Sequence, residues 1–125
     1  MSPQENKAVA LKLMRSFGSG KFETGLIADD ATFWSARAGT RTKAEFFTML
    51  GNMRHLIAKS VTMTIVSATA EEDRVSVESK GDSTLTNGRK YDNTYHFMFV
   101  LRDGKIVQIR EYNDTRLAAE AFGNT

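Results

Sequence analysis

Tyr91-Asp92-Asn93-Thr94-Tyr95-His96-Phe97-Met98-Phe99-Val100-Leu101, then Arg102-Asp103-Gly104-Lys105, then Ile106-Val107-Gln108-Ile109, reads as a long strand, a tight turn and a returning strand. Successive strand side chains point to opposite faces, so Tyr91, Tyr95, Phe97, Phe99 and Leu101 share one face. Met98 and Val100 make the other face apolar as well. Asp103-Gly104 supplies the positive backbone angles that a two-residue hairpin turn needs. A strand apolar on both sides calls for cover on both. Helices account for one side, which leaves the face of Met98 and Val100 as a candidate homodimer surface.

Upstream, Asn87-Gly88 is a second hairpin signal. Val61, Met63 and Ile65 alternate, as do Val75 and Val77, and Glu71-Glu72-Asp73 lies between the two segments as an acidic turn. These turns predict a four-strand antiparallel meander. Helical signals dominate the first half. Ser2-Pro3-Gln4-Glu5 is a capping box with proline at the first helical position, and Ala8, Leu11, Met14 and Phe17 follow before Gly18-Ser19-Gly20. A helix over about 3–17 is expected. A short helix from Phe22 to Ile27 and a strand through Ala31-Thr32-Phe33-Trp34 come next. Thr42-Lys43-Ala44-Glu45 is a second capping box, opening a helix that carries Phe46, Leu50, Met53 and Ile57 at spacings of three and four. Asp114 or Asn113 caps a last helix, Thr115 to Phe122, that ends at Gly123. Helices segregated ahead of an antiparallel sheet give an α+β fold, and residues 1–125 form one domain without repeat or linker.

The 125-residue chain is long enough to bury about two thirds of its unfolded surface. It has no cysteine, which removes disulfides, thiolate chemistry and cysteine-ligated metals. Its two histidines, His55 and His96, lack any metal-ligand spacing, so no metal is expected. The net charge of +2 is small and the basic residues alternate with acids, which argues against nucleic acid as a partner. No apolar run reaches the ~18 residues of a membrane span, and the N-terminus lacks the pattern of a secretion signal. The expectation is a cytoplasmic protein with no membrane partner.

Glu111 is the leading candidate for chemistry. Val107, Ile109 and Glu111 share a face under strict alternation, which puts a carboxylate at the end of a buried row where burial would raise its pKa and suit it to proton transfer. The competing reading is an ion pair at the sheet edge. Tyr95 and Asn93 place a hydroxyl and an amide above the aromatic floor of Phe97 and Phe99, the mixture by which a mostly apolar pocket orients a carbonyl or phenol. Asp114 is a candidate ligand contact with a competing role as helix cap. His55, His96 and Glu78 read as structural or surface groups.

The order helix, helix, strand, helix, meander, together with Asp29-Asp30-Ala31-Thr32, Tyr91 through Tyr95, Asp103-Gly104-Lys105-Ile106 and Arg110 through Asp114, resembles the SnoaL-like and ketosteroid-isomerase-like branch of the nuclear transport factor two-like superfamily. The resemblance implies a cystatin-like cone, a curved antiparallel sheet wrapped around helices on one face, with an internal pocket for a small apolar organic ligand. It also implies a homodimer and no cofactor, and it adds Phe17, together with Phe33 and Trp34 after Asp29-Asp30, to the pocket wall. Members of the superfamily include steroid isomerases, polyketide cyclases, epoxide hydrolases, dehydratases and non-catalytic binding domains, so fold alone does not decide function. Where steroid isomerases carry their base and their acidic oxyanion donor, this chain has Ser35 and Phe97. Where limonene-epoxide hydrolases carry an arginine and an aspartate, it has Ser79 and Gly81. Both mechanisms are disfavoured. Two readings stay open: a cofactor-independent acid/base enzyme using Glu111 and Tyr95, of polyketide-cyclase or isomerase type, and a non-catalytic ligand-binding or association module.

Overall fold

Two reciprocal capping boxes start the two long helices. In a computed structural model, which describes residues 1–17, 21–58 and 61–123, the Ser2 hydroxyl accepts from the Glu5 N–H at 3.1 Å and the Glu5 carboxylate accepts from the Ser2 N–H at 3.1 Å. Thr42 and Glu45 repeat the arrangement at 3.2 and 2.9 Å. Each box satisfies two N–H groups that a helix start leaves unpaired. The helices that follow are α1 (Pro3–Ser16) and α2 (Lys43–Arg54). The Gly18-Ser19-Gly20 stop signal lies outside the described residues.

Between them the chain departs from expectation. The helix anticipated from Phe22 to Ile27 shrinks to a single 3-10 turn at Thr24–Leu26, and β1 (Ile27–Ser35) begins four residues earlier than predicted. Strand β2 (Gly39–Thr42), which the sequence did not reveal, folds back antiparallel on β1. Four residues with one β-branched pair carry too little alternation to announce a strand. Helix α2 stops at Arg54 and does not reach Ile57, which instead forms a bridge with Leu85.

The meander is present as β3 (Thr62–Glu71), β4 (Arg74–Thr84), β5 (Lys90–Arg102) and β6 (Lys105–Asn113), each antiparallel to the next. Asp103 and Gly104 sit at φ 50° and 80° in the β5–β6 turn, and Gly88 at φ 85° closes the turn between β4 and β5. Strand β1 pairs in parallel with β6, so the six strands run β2-β1-β6-β5-β4-β3 in a mixed, curved, unclosed sheet. No helix among the described residues is long and apolar enough to cross a membrane.

Helix α1 lays Ala10, Leu13 and Met14 over Val75, Val77 and Phe99, all of them fully buried or nearly so. Helix α2 packs on β1 through Phe46, whose ring stacks on Phe33 with centroids 3.9 Å apart. The last helix, α3 (Thr115–Phe122), is capped by Asp114, whose carboxylate accepts from the N–H groups of Arg116 and Leu117 at 3.1 and 3.2 Å. Asn93 joins this corner to β5. Its amide nitrogen donates to the Tyr91 hydroxyl at 2.8 Å and the Asp114 carbonyl at 3.1 Å, and its oxygen accepts from the N–H groups of Thr94 and Asp114. A buried amide with both donors and both acceptors engaged is costly to lose, because truncation orphans its partners. Asn93→Ala should therefore lower the urea midpoint by the equivalent of roughly 1–3 kcal/mol with an unchanged slope; an unchanged midpoint would show the network to be dispensable.

Candidate functional site

Glu111 owes its position to a bulge. The β5–β6 register shifts between Val100 and Leu101, with Val100 opposite Gln108 and Leu101 opposite Ile106, so Val107 is an extra residue. Ile106 is fully buried and Val107 only partly, which corrects the expectation that Val107, Ile109 and Glu111 form one row. The inward row is Ile106, Ile109, Glu111, because the bulge changes the phase of alternation once. Glu111 then pairs with Phe97 on one side and, across the parallel ladder, with Ser35 on the other.

Beyond the reach of α1 the inner face of the sheet is not filled. Two contiguous lobes of about 420 and 410 Å³ open there, sharing Phe17, Leu50, Met53, Tyr91, Tyr95, Glu111 and Phe122 in their walls. That is within the range of small-molecule sites, roughly 300–1,000 Å³. The first lobe is mostly apolar, walled by Phe22, Leu50, Met53, Met63 and Phe97 among others, with Arg54 as its one cationic residue among the described residues. The second is polar on one side, where Ser35, Arg37, Arg41, Asn52 and Asn113 border it. Glu111 stands at the junction.

The electrostatics of the junction follow from burial. The Glu111 carboxyl is pushed up to about 7, first by desolvation, with Arg41 and then Arg37 pulling weakly in the opposite direction. Among the described residues its one side-chain hydrogen-bond partner is Asn113, whose amide donates to Oε2 at 3.3 Å. Neither arginine forms an ion pair with it among the described residues, so the sheet-edge ion-pair reading does not describe it. The Tyr95 phenol is held neutral, well above its ordinary value, by burial first, then by Tyr91, and least by Glu111. Its ring lies across β4 at Gly81, where an added Cβ would come within 2.9 Å of it. The Tyr95 and Tyr91 hydroxyls are 3.4 Å apart, and Tyr91 also accepts from Asn93. At most one of the two phenolic protons is used between the rings. The other remains to donate into the cavity.

Four predicted site residues, Glu111, Tyr95, Phe17 and Phe97, come together around this space. Four others lie elsewhere in the structure. Asn93 is buried behind the wall with its hydrogen bonds spent on Tyr91, Thr94 and Asp114, and Asp114 is the cap of α3. Phe33 is core, stacked on Phe46, and borders only a 50 Å³ recess beside Glu111. Trp34 touches the same recess but aims its ring the other way, under the Arg110 guanidinium at 4.6 Å and against Tyr112 at 5.0 Å, on the outer face of the sheet. Its even number in a strand whose odd members Ala31 and Phe33 are buried already demands this. Arg37, Arg41 and Phe122 are cavity residues that the sequence reading missed. Arg41 lies on the unrecognised β2, and only its register opposite Phe33 reveals that it faces inward. Ser35 borders the polar lobe, its hydroxyl accepting from the Ala38 N–H at 3.3 Å. Ser79 is buried, and its hydroxyl has no partner among the described residues. No cluster of three or more potential metal ligands occurs among the described residues.

A carboxyl held by the fold above its ordinary 4.5 keeps a proton that the unfolded chain has already lost. Native stability from this group is therefore greatest below about pH 4.5 and declines as pH rises through 7. Replacing Glu111 by Gln should flatten that decline by on the order of 2 kcal/mol between pH 4.5 and 8, measured as the difference between the two stability–pH curves. Carboxyl NMR should place its titration near pH 7; a titration near 4.5 with parallel curves would remove Glu111 from the list of perturbed acids.

The family profile described as SnoaL-like domain matches residues 14–109. No curated protein sequence matches the chain. Among solved structures, AclR from Streptomyces galilaeus, a candidate hydroxylase, superimposes with a TM-score of 0.84 at 17% identity, over 99% of this chain and 88% of that one. An NTF2-like protein from Burkholderia xenovorans LB400 superimposes at 0.75 with 25% identity, over 97% and 98% of the two chains. TerC, crystallised with polyporic acid, superimposes at 0.81 with 17% identity, over 94% and 97%. The cone expected from the sequence is thus the fold observed, and a profile match spanning most of the chain makes this protein a member of the SnoaL-like domain family.

Proposed function

We propose that the protein is a cofactor-independent acid/base enzyme acting on a small, apolar, oxygenated organic molecule, with Glu111 as proton donor and acceptor and the Tyr95–Tyr91 pair as hydrogen-bond donor. The observation that carries this reading is Glu111 at the junction of the two lobes, its carboxyl pushed up to about 7. A group that titrates near the working pH can both give and take a proton, which is what general acid/base catalysis requires. A phenol kept neutral by burial can donate to a carbonyl oxygen as charge builds on it. The apolar lobe suits rings or chains. The crystal of TerC with polyporic acid supports the choice of a small organic ligand for a cavity of this fold.

Thermal-shift screening of apolar oxygenated metabolites should yield a ligand, since binding at 100 times the dissociation constant adds about 2.7 kcal/mol to stability. Glu111→Gln should still bind that ligand while turnover falls by about 10²–10⁴-fold. A ligand bound by the wild type and never converted would overturn the enzymatic reading in favour of a binding module.

The outer sheet face completes the proposal. Trp34, Arg110 and Met98 lie side by side through the β1–β6 and β6–β5 registers, with Val100 beside them and Tyr112 42% exposed. An outer face carrying these side chains is economically covered by a second copy, because twofold pairing buries the same patch twice. Light scattering at micromolar concentration should give a dimer mass, and Met98→Asp should halve it; a monomer mass for the wild type would rule the dimer out.

A further inference from the structure

Arg41 is a guanidinium without an assignment in the fold. Other basic side chains at the structure's corners are engaged: Lys43 with Asp29, Arg102 with Asp30, Lys90 with Asp82, Arg116 with Glu120. Arg37 donates to the Gly123 carbonyl, which fastens the β1–β2 connection to the end of α3. Arg41 makes no hydrogen bond or ion pair among the described residues, yet it is half-buried and borders the polar lobe and the recess beside Glu111. Its backbone is opposite Phe33, two residues along β1 from the Ser35–Glu111 pair and on the same face. Its nitrogens are open to the cavity, the one carboxylate in the same wall among the described residues, Glu111, is paired with Asn113, and the nearby Glu45 is held by the α2 capping box.

We propose that Arg41, assisted by Arg37, forms an oxyanion-recognising subsite in the polar lobe, so that the ligand is an apolar molecule bearing a carboxylate. The inference rests on the small-molecule reading of the cavity and narrows its substrate class. Placement of the lobes gives the orientation. The hydrocarbon body fills the apolar lobe between Phe17, Met53 and Phe97, the carboxylate reaches Arg41 and Arg37, and the atoms between them pass Glu111 and the Tyr95 hydroxyl. A guanidinium offers a planar pair of N–H groups that matches a carboxylate with two parallel bonds, and an uncharged amide of the same shape cannot accept them equally.

The test uses naphthalene-2-carboxylate and naphthalene-2-carboxamide as matched probes, titrated calorimetrically at pH 8 and low salt into the wild-type protein and into Arg41→Gln, Arg41→Lys and Glu111→Gln. The wild type should bind the acid at least about tenfold more tightly than the amide, as expected for a charge-assisted pair. Arg41→Gln should bring the ratio close to one while leaving amide affinity unchanged. Arg41→Lys should keep part of the ratio, and Glu111→Gln should keep or increase it because a neighbouring acid is gone. Equal binding of acid and amide by the wild type would overturn the subsite and leave the small-molecule cavity standing. Failure of both probes to bind would overturn the cavity reading and this inference with it. The wild-type comparison decides the matter even if a variant does not fold.

Discussion

The inward row of β5 runs from Leu101 and Phe99, sealed beneath α1, through Phe97 and Tyr95 to Tyr91 at the open end. Apolar surface on a sheet must be covered, and a helix of 14 residues spans only about 21 Å. A strand of 13 residues spans about twice that. One helix cannot cover it. At the Phe99 end the sheet and α1 make a dry core; at the Tyr95 end the curved sheet, α2 and α3 stand apart and enclose space. The cavity is thus the unfilled remainder of a core whose lining is aromatic for the same reason the core is. Residue type changes along the row accordingly, from Phe to Tyr, as the side chains pass from packing to facing the cavity.

The bulge at Val107 decides which chemistry faces that space. If β6 alternated strictly from the buried Ile106, the inward series would continue with Gln108 and Arg110, and the cavity would be cationic. One extra residue reverses the phase, so that Ile109 and Glu111 turn inward while Arg110 turns out to lie over Trp34. Bulges are common beside sites because a single insertion re-aims every later side chain at little cost to the rest of the sheet.

These two features were unequally legible in the sequence. The capping boxes, the Asp103-Gly104 and Asn87-Gly88 turns and the alternation of β5 are local signals, and the elements they predict are present. The inward direction of Glu111 was inferred from alternation, but by way of Val107, which the bulge removes from the row; the conclusion about direction survives because Ile109 and Glu111 lie on the same side of the bulge. The type and face of Asn93 suit a pocket, whereas its hydrogen bonds depend on where the β6–α3 corner falls, a contact between residues 21 apart that no local pattern contains. Arg41 was missed for a related reason. Gly39-Thr40-Arg41-Thr42 has no apolar alternation, and its inward arginine shows only once β2 is paired with β1.

What remains is the balance of charge at the junction. Burial raises the Glu111 carboxyl, and Arg41 and Arg37 lower it by less. The arginines are close enough to be felt and too far to form an ion pair, so the acid sits near 7 and is neither fixed as an anion nor fixed as a neutral group. A ligand oxyanion beside Arg41 would cancel the larger of the two downward pulls and add a negative charge of its own to the same low-dielectric space. Both changes favour the protonated carboxyl. Occupancy of the polar lobe would therefore set the protonation state of Glu111 at the moment a ligand is in place, turning the residue toward the acid form when the cavity is filled and back toward the base when the ligand's charge is lost or leaves.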